Sequence, residues 1–558
     1  MRLRRWPSSC PLRVHSHSHS YSSCSGGRRH CRRFLDVSSS SRSSSLASAS
    51  DDFSRDLDLP LHPPFAIRAS IVHSTRDSNV STRGSFGCAD LEVLDDAIVV
   101  VDAHGIIAEV IKDAASGQSS SKHMPEDIVT HNLGPSRLLL PGFVDAHAHA
   151  PQYEFVGNGF GLPLLQWLDT YTFPTEASYA IPHDDHEGTA AARVRAKYER
   201  VVAHSLKCGT TTCSYLNCID GPSSLVLADV AHKAGQRALV GKVSMDANAP
   251  DFYRETSADA AAADARTFVE AMLERYGQEN SLVMPVVTPR FAPTCSSSLL
   301  AQLGALADEY QLRIQSHLSE NVDECLWVLS ELFPGAGSYA EVYETHGLLT
   351  PRTYLAHGVF STKHERRVME AAGASVVHCA SSNANLMSGF ADVRAWQDDG
   401  VTVSLGTDVA GGSSISMLTT ARRTLENSNS ISILRRQMAA QDVICRVEAE
   451  RDEERRRSLA SAWTSPDAPP TLSVADVLHM ATRGGAKALN LDDVVGGFDV
   501  GMHFDAVCAT FPDVPGGDVL TPICLRESDG TTQMLEKLLL CGDERNIEAV
   551  YVKGTRRI

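Results

Sequence analysis

Pro141-Gly142-Phe143-Val144-Asp145-Ala146-His147-Ala148-His149 joins an apolar run to a His-x-His pair. Together with Leu139 and Leu140 it predicts a strand near Leu139 to Asp145 that carries two histidines at its C-terminal end. In extended chain, residues i and i+2 share a face, so His147 and His149 present two imidazoles side by side. That is a two-point metal chelate, although two surface histidines meet the same spacing by chance.

Outward from this strand, short apolar runs alternate with long helical stretches, the pattern of repeated βα units. Further strands are predicted near Thr210 to Tyr215, Ala238 to Val243, Val283 to Thr288, Arg313 to His317, Tyr354 to His357, Ser375 to His378 and Val401 to Leu405. Helices are predicted between them, for example over Ala258 to Tyr276 and Ser298 to Tyr310. Eight strands with crossover helices close a TIM-type (β/α)8 barrel, whose catalytic residues sit at the C-terminal ends of its strands. Three other predicted strands end in potential ligands: His317, His357 and Asp408. In a barrel all four strand ends converge on one rim, and neutral imidazoles with one carboxylate suit zinc, with iron or manganese as alternatives.

The flanks differ. Phe65 to Val72, Ala97 to Val101 and Ile106 to Val110, with a turn at Asp102 to Gly105, read as hairpins, and β-like runs return at Phe504 to Phe511 and Ile547 to Val552. We expect a small β-sandwich domain built from residues 59–138 and 496–558, with the barrel over 139–495 between them. Arg446 to Arg457 is a dense charge run followed by a Pro-rich stretch, so residues 438–470 are expected to be a solvated surface insertion.

The full chain has 51 Lys and Arg against 68 Asp and Glu, a net charge of −17. That balance argues against nucleic acid and anionic membranes as partners, and no apolar run is long enough to span a bilayer. Residues 1–58 form an Arg- and Ser-rich extension expected to be disordered, acid-poor over its first fifty residues, where Asp36 is the single acid. Its composition is that of a mitochondrial transit peptide or of a plain solvated tail. The cysteines are scattered without Cys-x-x-Cys pairing, so free thiols in a reducing compartment are expected.

His-x-His after the first strand, later histidines at the fifth and sixth and an Asp after the eighth resemble the amidohydrolase superfamily. More closely, Pro141 to Trp167, YTFPTE at Tyr171 to Glu176, TPRF at Thr288 to Phe291, QSHLSEN at Gln315 to Asn321 and LGTDVAGG at Leu405 to Gly412 are similar to the guanine deaminase family. The similarity runs from about residue 65 to the C-terminus. The resemblance implies hydrolysis of guanine to xanthine and ammonia, one Zn2+ per subunit on His147, His149, His317 and Asp408, and a cytoplasmic homodimer. By the same resemblance Asp408 takes a proton from the attacking water, His357 orients that water, and Glu320 shuttles a proton to the ring. Gln152, Arg290 and Phe291 would bind the purine, with Trp167 and Leu164 as further lining candidates. His378-Cys379-Ala380-Ser381-Ser382-Asn383 departs from the family's His-Cys-Pro-x-Ser-Asn run at Ala380, which suggests a looser turn.

Other readings stand beside these. Glu320 could open a helix on the surface, and Arg290 could form a rim salt bridge. His378 is expected to be a satisfied structural histidine, Asp145 a support for an imidazole or an edge acceptor, and His364 and Glu365 solvated. The functional alternatives are a deaminase of another amino-heterocycle and a non-catalytic scaffold. The arginine argues against the first, since a ring lacking a carbonyl would leave its donors unpaired, and the complete ligand set argues against the second.

Overall fold

The computed structural model describes residues 59–75, 90–114, 128–182, 185, 188–277, 281–461, 471–511 and 521–558. The Arg- and Ser-rich extension at 1–58 and the Pro-rich end of the expected insertion, 462–470, lie outside the described residues.

Eight parallel strands form the barrel: β1 (Phe143–His149), β2 (Thr210–Leu216), β3 (Arg237–Gly241), β4 (Val283–Pro289), β5 (Arg313–Leu318), β6 (Thr353–His357), β7 (Ser375–His378) and β8 (Val403–Leu405). They pair in sequence order from β1 to β8. The last gap is bridged beyond β8, where Asp408 N–H donates to the His147 carbonyl at 2.8 Å and His149 N–H to that of Val409 at 3.1 Å. These strands are buried along nearly their whole length, as expected when helices cover a parallel sheet. The helix predicted over Ala258–Tyr276 has those bounds, opened by the Ser257 hydroxyl accepting from Ala260 N–H.

The single strand expected over Leu139 to Asp145 is instead two. Arg137–Pro141 belongs to a second sheet, and the barrel strand begins at Phe143. Gly142 sits at the break, where an added Cβ would lie 2.1 Å from Thr211 Oγ1, so only glycine lets the chain pass this close to β2.

The β-sandwich expected of the flanks takes the form of one continuous sheet of eight strands. Arg137–Pro141 pairs antiparallel with Ala506–Thr510, which places N-terminal and C-terminal strands side by side. Phe65, Ile67, Val99, Leu139, Phe504 and Tyr551 form its apolar core. A buried ion pair, Arg237 Nη2 to Asp505 Oδ1 at 3.2 Å, ties β3 to the C-terminal flank.

The surface insertion is no separate element at its start. A helix running over Met417–Ala449 carries residue 438 onward, and its buried residues end at Ser432. Glu453–Ser461, which follows, buries none. Among the described residues no helix is long and apolar enough to cross a membrane, and ten cysteines are free.

Candidate active site

At the end of β1, Asp145 is fully buried and accepts from the backbone N–H of His147 at 3.2 Å and of Thr407 at 3.0 Å. Its other oxygen accepts from the Thr407 hydroxyl at 2.5 Å. The carboxylate thereby ties the histidine strand to the turn that carries Asp408. Pairing between β1 and β2 also shifts between Asp145 and Ala148, a local irregularity of the kind that re-aims side chains.

Four side chains converge there. His147 Nε2 and His149 Nε2 lie 3.3 and 3.4 Å from Asp408 Oδ1. His149 Nε2 and His317 Nε2 are 3.3 Å apart. One potential ligand atom from each of His147, His149 and His317 falls within 4.8 Å of the others, and the same holds for His147, His357 and Asp408. His317 Nδ1 donates to the Arg290 carbonyl at 2.6 Å, which turns the Nε2 lone pair inward. Burial pushes His149 and His317 well below the ordinary histidine range and keeps them neutral. Burial alone would raise the Asp408 carboxyl, but the close approach of His147 and the surrounding imidazoles outweigh it and hold the group far below the carboxylate range. Buried His147 Nε2 has no hydrogen-bond partner. Inward lone pairs and one carboxylate on buried side chains are the donor set of a divalent cation, with room in the cavity for a further ligand.

Beside this cluster stand Glu320 and His357. His357 Nδ1 donates to Asn383 Oδ1 at 2.8 Å, directing Nε2 at the cavity, 3.4 Å from Glu320 Oε2 and 3.9 Å from Asp408 Oδ2. Burial, reinforced by Asp408, pushes the Glu320 carboxyl well above its ordinary value, which favours its protonated form. His357 and Asp408 both adopt left-handed backbone, φ 79° and 46°, a cost that non-glycine residues bear mostly at functional sites.

The cavity at these groups has a volume of about 360 Å³ including its mouth. His149, His317, His357, Glu320 and Asp408 line it, together with Gln152, Arg290 and Phe291. Leu164, Trp167, Leu168 and Leu386 supply the apolar remainder. Every residue assigned a site role from sequence is therefore buried at this rim, and neither Glu320 nor Arg290 is a surface group.

Several residues behave otherwise than expected. Glu365 is buried, not solvated: it accepts from the Ser319 hydroxyl at 2.9 Å and braces the turn before Glu320. Only His364 of that pair is exposed. His378 is buried, but neither ring nitrogen has a hydrogen-bond partner, and it does not line this cavity. The turn at Ala380 holds without proline, since Ala380–Asn385 forms a short helix that presents Asn383 to His357.

Two supporting residues had no role from sequence. Asn383 is one. Glu176, wholly buried, is the other: it accepts from Gln152 Nε2 at 2.8 Å, Tyr253 OH at 2.7 Å, and Arg290 Nη1 and Nη2 at 2.6 and 3.2 Å. Helical backbone from Leu164 to Ala177 widens to a π turn over Leu168–Thr172, so that Trp167 and Leu168 face the cavity while Glu176 lies behind its polar wall. The run YTFPTE contains Glu176, but nothing local in it points to a partner 114 residues away.

Comparison with known proteins agrees with this geometry. The model of the amidohydrolase family matches residues 138–444. Guanine deaminase of Homo sapiens is 37% identical over 505 residues, 88% of this chain and 96% of that protein. A probable guanine deaminase of Schizosaccharomyces pombe is 34% identical, covering 83% of this chain and 80% of its own length. Among solved structures, guanine deaminase from C. acetobutylicum with guanine bound in the active site aligns with a TM-score of 0.69 at 28% identity, over 88% of this chain and 99% of that one. The chain belongs to the amidohydrolase family, and within it to the guanine deaminases.

Proposed function

We infer that this chain deaminates guanine hydrolytically, giving xanthine and ammonia, at a single zinc held by His147, His149, His317 and Asp408. The observation that carries this reading is one cavity lined by His149, His317 and Asp408 of the ligand cluster, by their neighbour His357, by buried Glu320, and by Gln152, Arg290 and Phe291. When bound, a divalent ion acidifies water and supplies a nucleophile near neutral pH. Zinc suits three neutral imidazoles and one carboxylate, and metal analysis separates it from iron or manganese.

The protein's own groups do the rest. Asp408, held ionised, accepts the proton of the attacking water, and His357, fixed by Asn383, orients that water through Nε2. Glu320 gives its proton to the ring nitrogen beside the attacked carbon, so that no full negative charge develops there. Asp408 then passes the proton it took from water to the departing amine, and the now ionised Glu320 takes the hydroxyl proton as the C–N bond breaks, the new carbonyl forms and ammonia leaves. Arg290 offers a planar donor fork to the ring carbonyl, Gln152 reads a further polar edge, and Phe291 contributes an apolar wall.

Guanine and water are the partners of this reading. A cytoplasmic homodimer rests on the family resemblance, and mitochondrial delivery by residues 1–50 is the alternative to its location; a fluorescent fusion of that segment decides it. The matching domain division is a small domain built from both flanks around a barrel; its expected boundary at 138/139 moves to Gly142, because Arg137–Pro141 pairs with Ala506–Thr510 and the barrel begins at Phe143. The test of function is product chromatography after the zinc-loaded full chain is offered guanine, adenine and cytosine. Xanthine from guanine alone is expected. Turnover of another ring in its place refutes the substrate, and no turnover with metal bound returns the scaffold reading.

A further inference from the structure

Arg290 is a buried cation in the wall of a cavity that receives a small ring, and an unbalanced charge there would favour anions. Glu176 removes that imbalance without touching the cavity. Its two oxygens each accept twice: Oε1 from Gln152 Nε2 and Arg290 Nη2, Oε2 from Tyr253 OH and Arg290 Nη1. All four acceptor positions of the carboxylate are thus occupied.

Two consequences follow for its neighbours. Arg290 meets a counter-ion on the side away from the ligand, so it faces the cavity as a set of directed N–H donors with its charge already balanced. Gln152 loses its rotational freedom, because a carboxylate only accepts. The amide must turn Nε2 to Glu176, and its Oε1 lies on the other side, 3.4 Å from the N–H of Ala410. The wall is therefore set in both charge and donor order before a ligand arrives.

We propose that Glu176 is a positioning residue that fixes the substrate class of this pocket: an uncharged oxopurine, selected over anionic rings of the same shape. This rests on the guanine reading above. It requires Glu176 to act through Arg290 and Gln152, so its loss should weaken binding of the neutral ring more than it slows chemistry at the metal cluster.

The test is steady-state kinetics of the zinc-loaded full chain on guanine, with urate, an oxopurine that is anionic at neutral pH, as competitive inhibitor. Glu176→Gln keeps the shape and removes the charge. It is expected to raise KM for guanine about tenfold, change kcat less than about fivefold, and tighten urate inhibition about tenfold. A KM within about twofold of the parent, a loss confined to kcat, or urate inhibition that does not tighten would overturn the proposal. Removing one member of a buried pair is costly to folding. Tyr253→Phe therefore serves as the second variant, since it withdraws one donor and leaves the ion pair. It should raise KM about two- to fivefold with kcat and urate inhibition unchanged, and an unchanged KM counts against the proposal. If the parent chain makes no xanthine, the functional reading fails and takes this inference with it. Parent turnover with unaltered selectivity in the variants sinks the inference alone.

Discussion

Nε2 of His357 stands 3.4 Å from Oε2 of Glu320 and 3.9 Å from Oδ2 of Asp408, with all three side chains buried. His357 and Glu320 lie at the end of β6 and just beyond β5, and in the proposed mechanism they divide the proton work: one group orients water, the other holds a proton for the ring. The environment separates two nearby carboxyls by charge, with Asp408 pushed down and Glu320 pushed up. Such a divergence marks an acid and a base in one site.

Glu320→Gln removes the proton donor while keeping the shape. A fall in kcat of about 10²- to 10⁴-fold is expected, with KM for guanine within a few-fold and metal content unchanged. Parallel kinetics and metal analysis check it, and retention of more than a tenth of kcat would show that another group carries the proton.

Metal removal should abolish activity and lower the melting temperature, because the ion binds the folded cluster and not the unfolded chain. Chelation followed by zinc addition should restore both. His317→Ala should purify with less than stoichiometric metal, whereas a full complement in that variant would remove His317 from the ligand set.

Asn383 acts on His357 through the Nδ1 hydrogen bond. Asn383→Ala should free the imidazole to rotate or change tautomer and cost about 10- to 100-fold in kcat, a loss typical of supporting hydrogen bonds. Metal content should stay unchanged, which distinguishes an effect on water orientation from damage to the ligand cluster.

Burial and the neighbouring Glu320 push the Glu324 carboxyl up to about 7. The folded chain then keeps a proton that the unfolded chain releases nearer the ordinary glutamate value. The associated stability is fully present below that ordinary value and is lost as pH rises through about 7. Glu324→Gln removes this titration, so the variant should gain on the parent by about 2 kcal/mol between pH 5 and pH 8. Denaturant unfolding at the two pH values measures the gap, and a pH-independent gap contradicts the expectation.

Much of the site was legible because its residues sit at strand ends, where a two-residue period and a common rim bring distant positions together. His147, His149, His317, His357 and Asp408 share that logic, and the barrel follows from alternation of apolar runs with helices. What stayed hidden depends on contacts across the fold. Nothing near Glu176 announces Arg290 or Tyr253 as partners, and Glu365 lies on a highly charged helix whose buried face is narrow. The break at Gly142 was also unreadable, since one apolar run serves two sheets and the crowding comes from Thr211. The helix over Met417–Ala449 likewise continues through the point where composition suggested an insertion, because its first half is held by the barrel.

The most direct measurement is mass spectrometry of the product formed from guanine by the zinc-loaded full chain in ¹⁸O-labelled water. The account predicts xanthine carrying one heavy oxygen, at the carbon that bore the exocyclic amine, with one ammonia released for each xanthine. Unchanged guanine, or xanthine without the label, would contradict it.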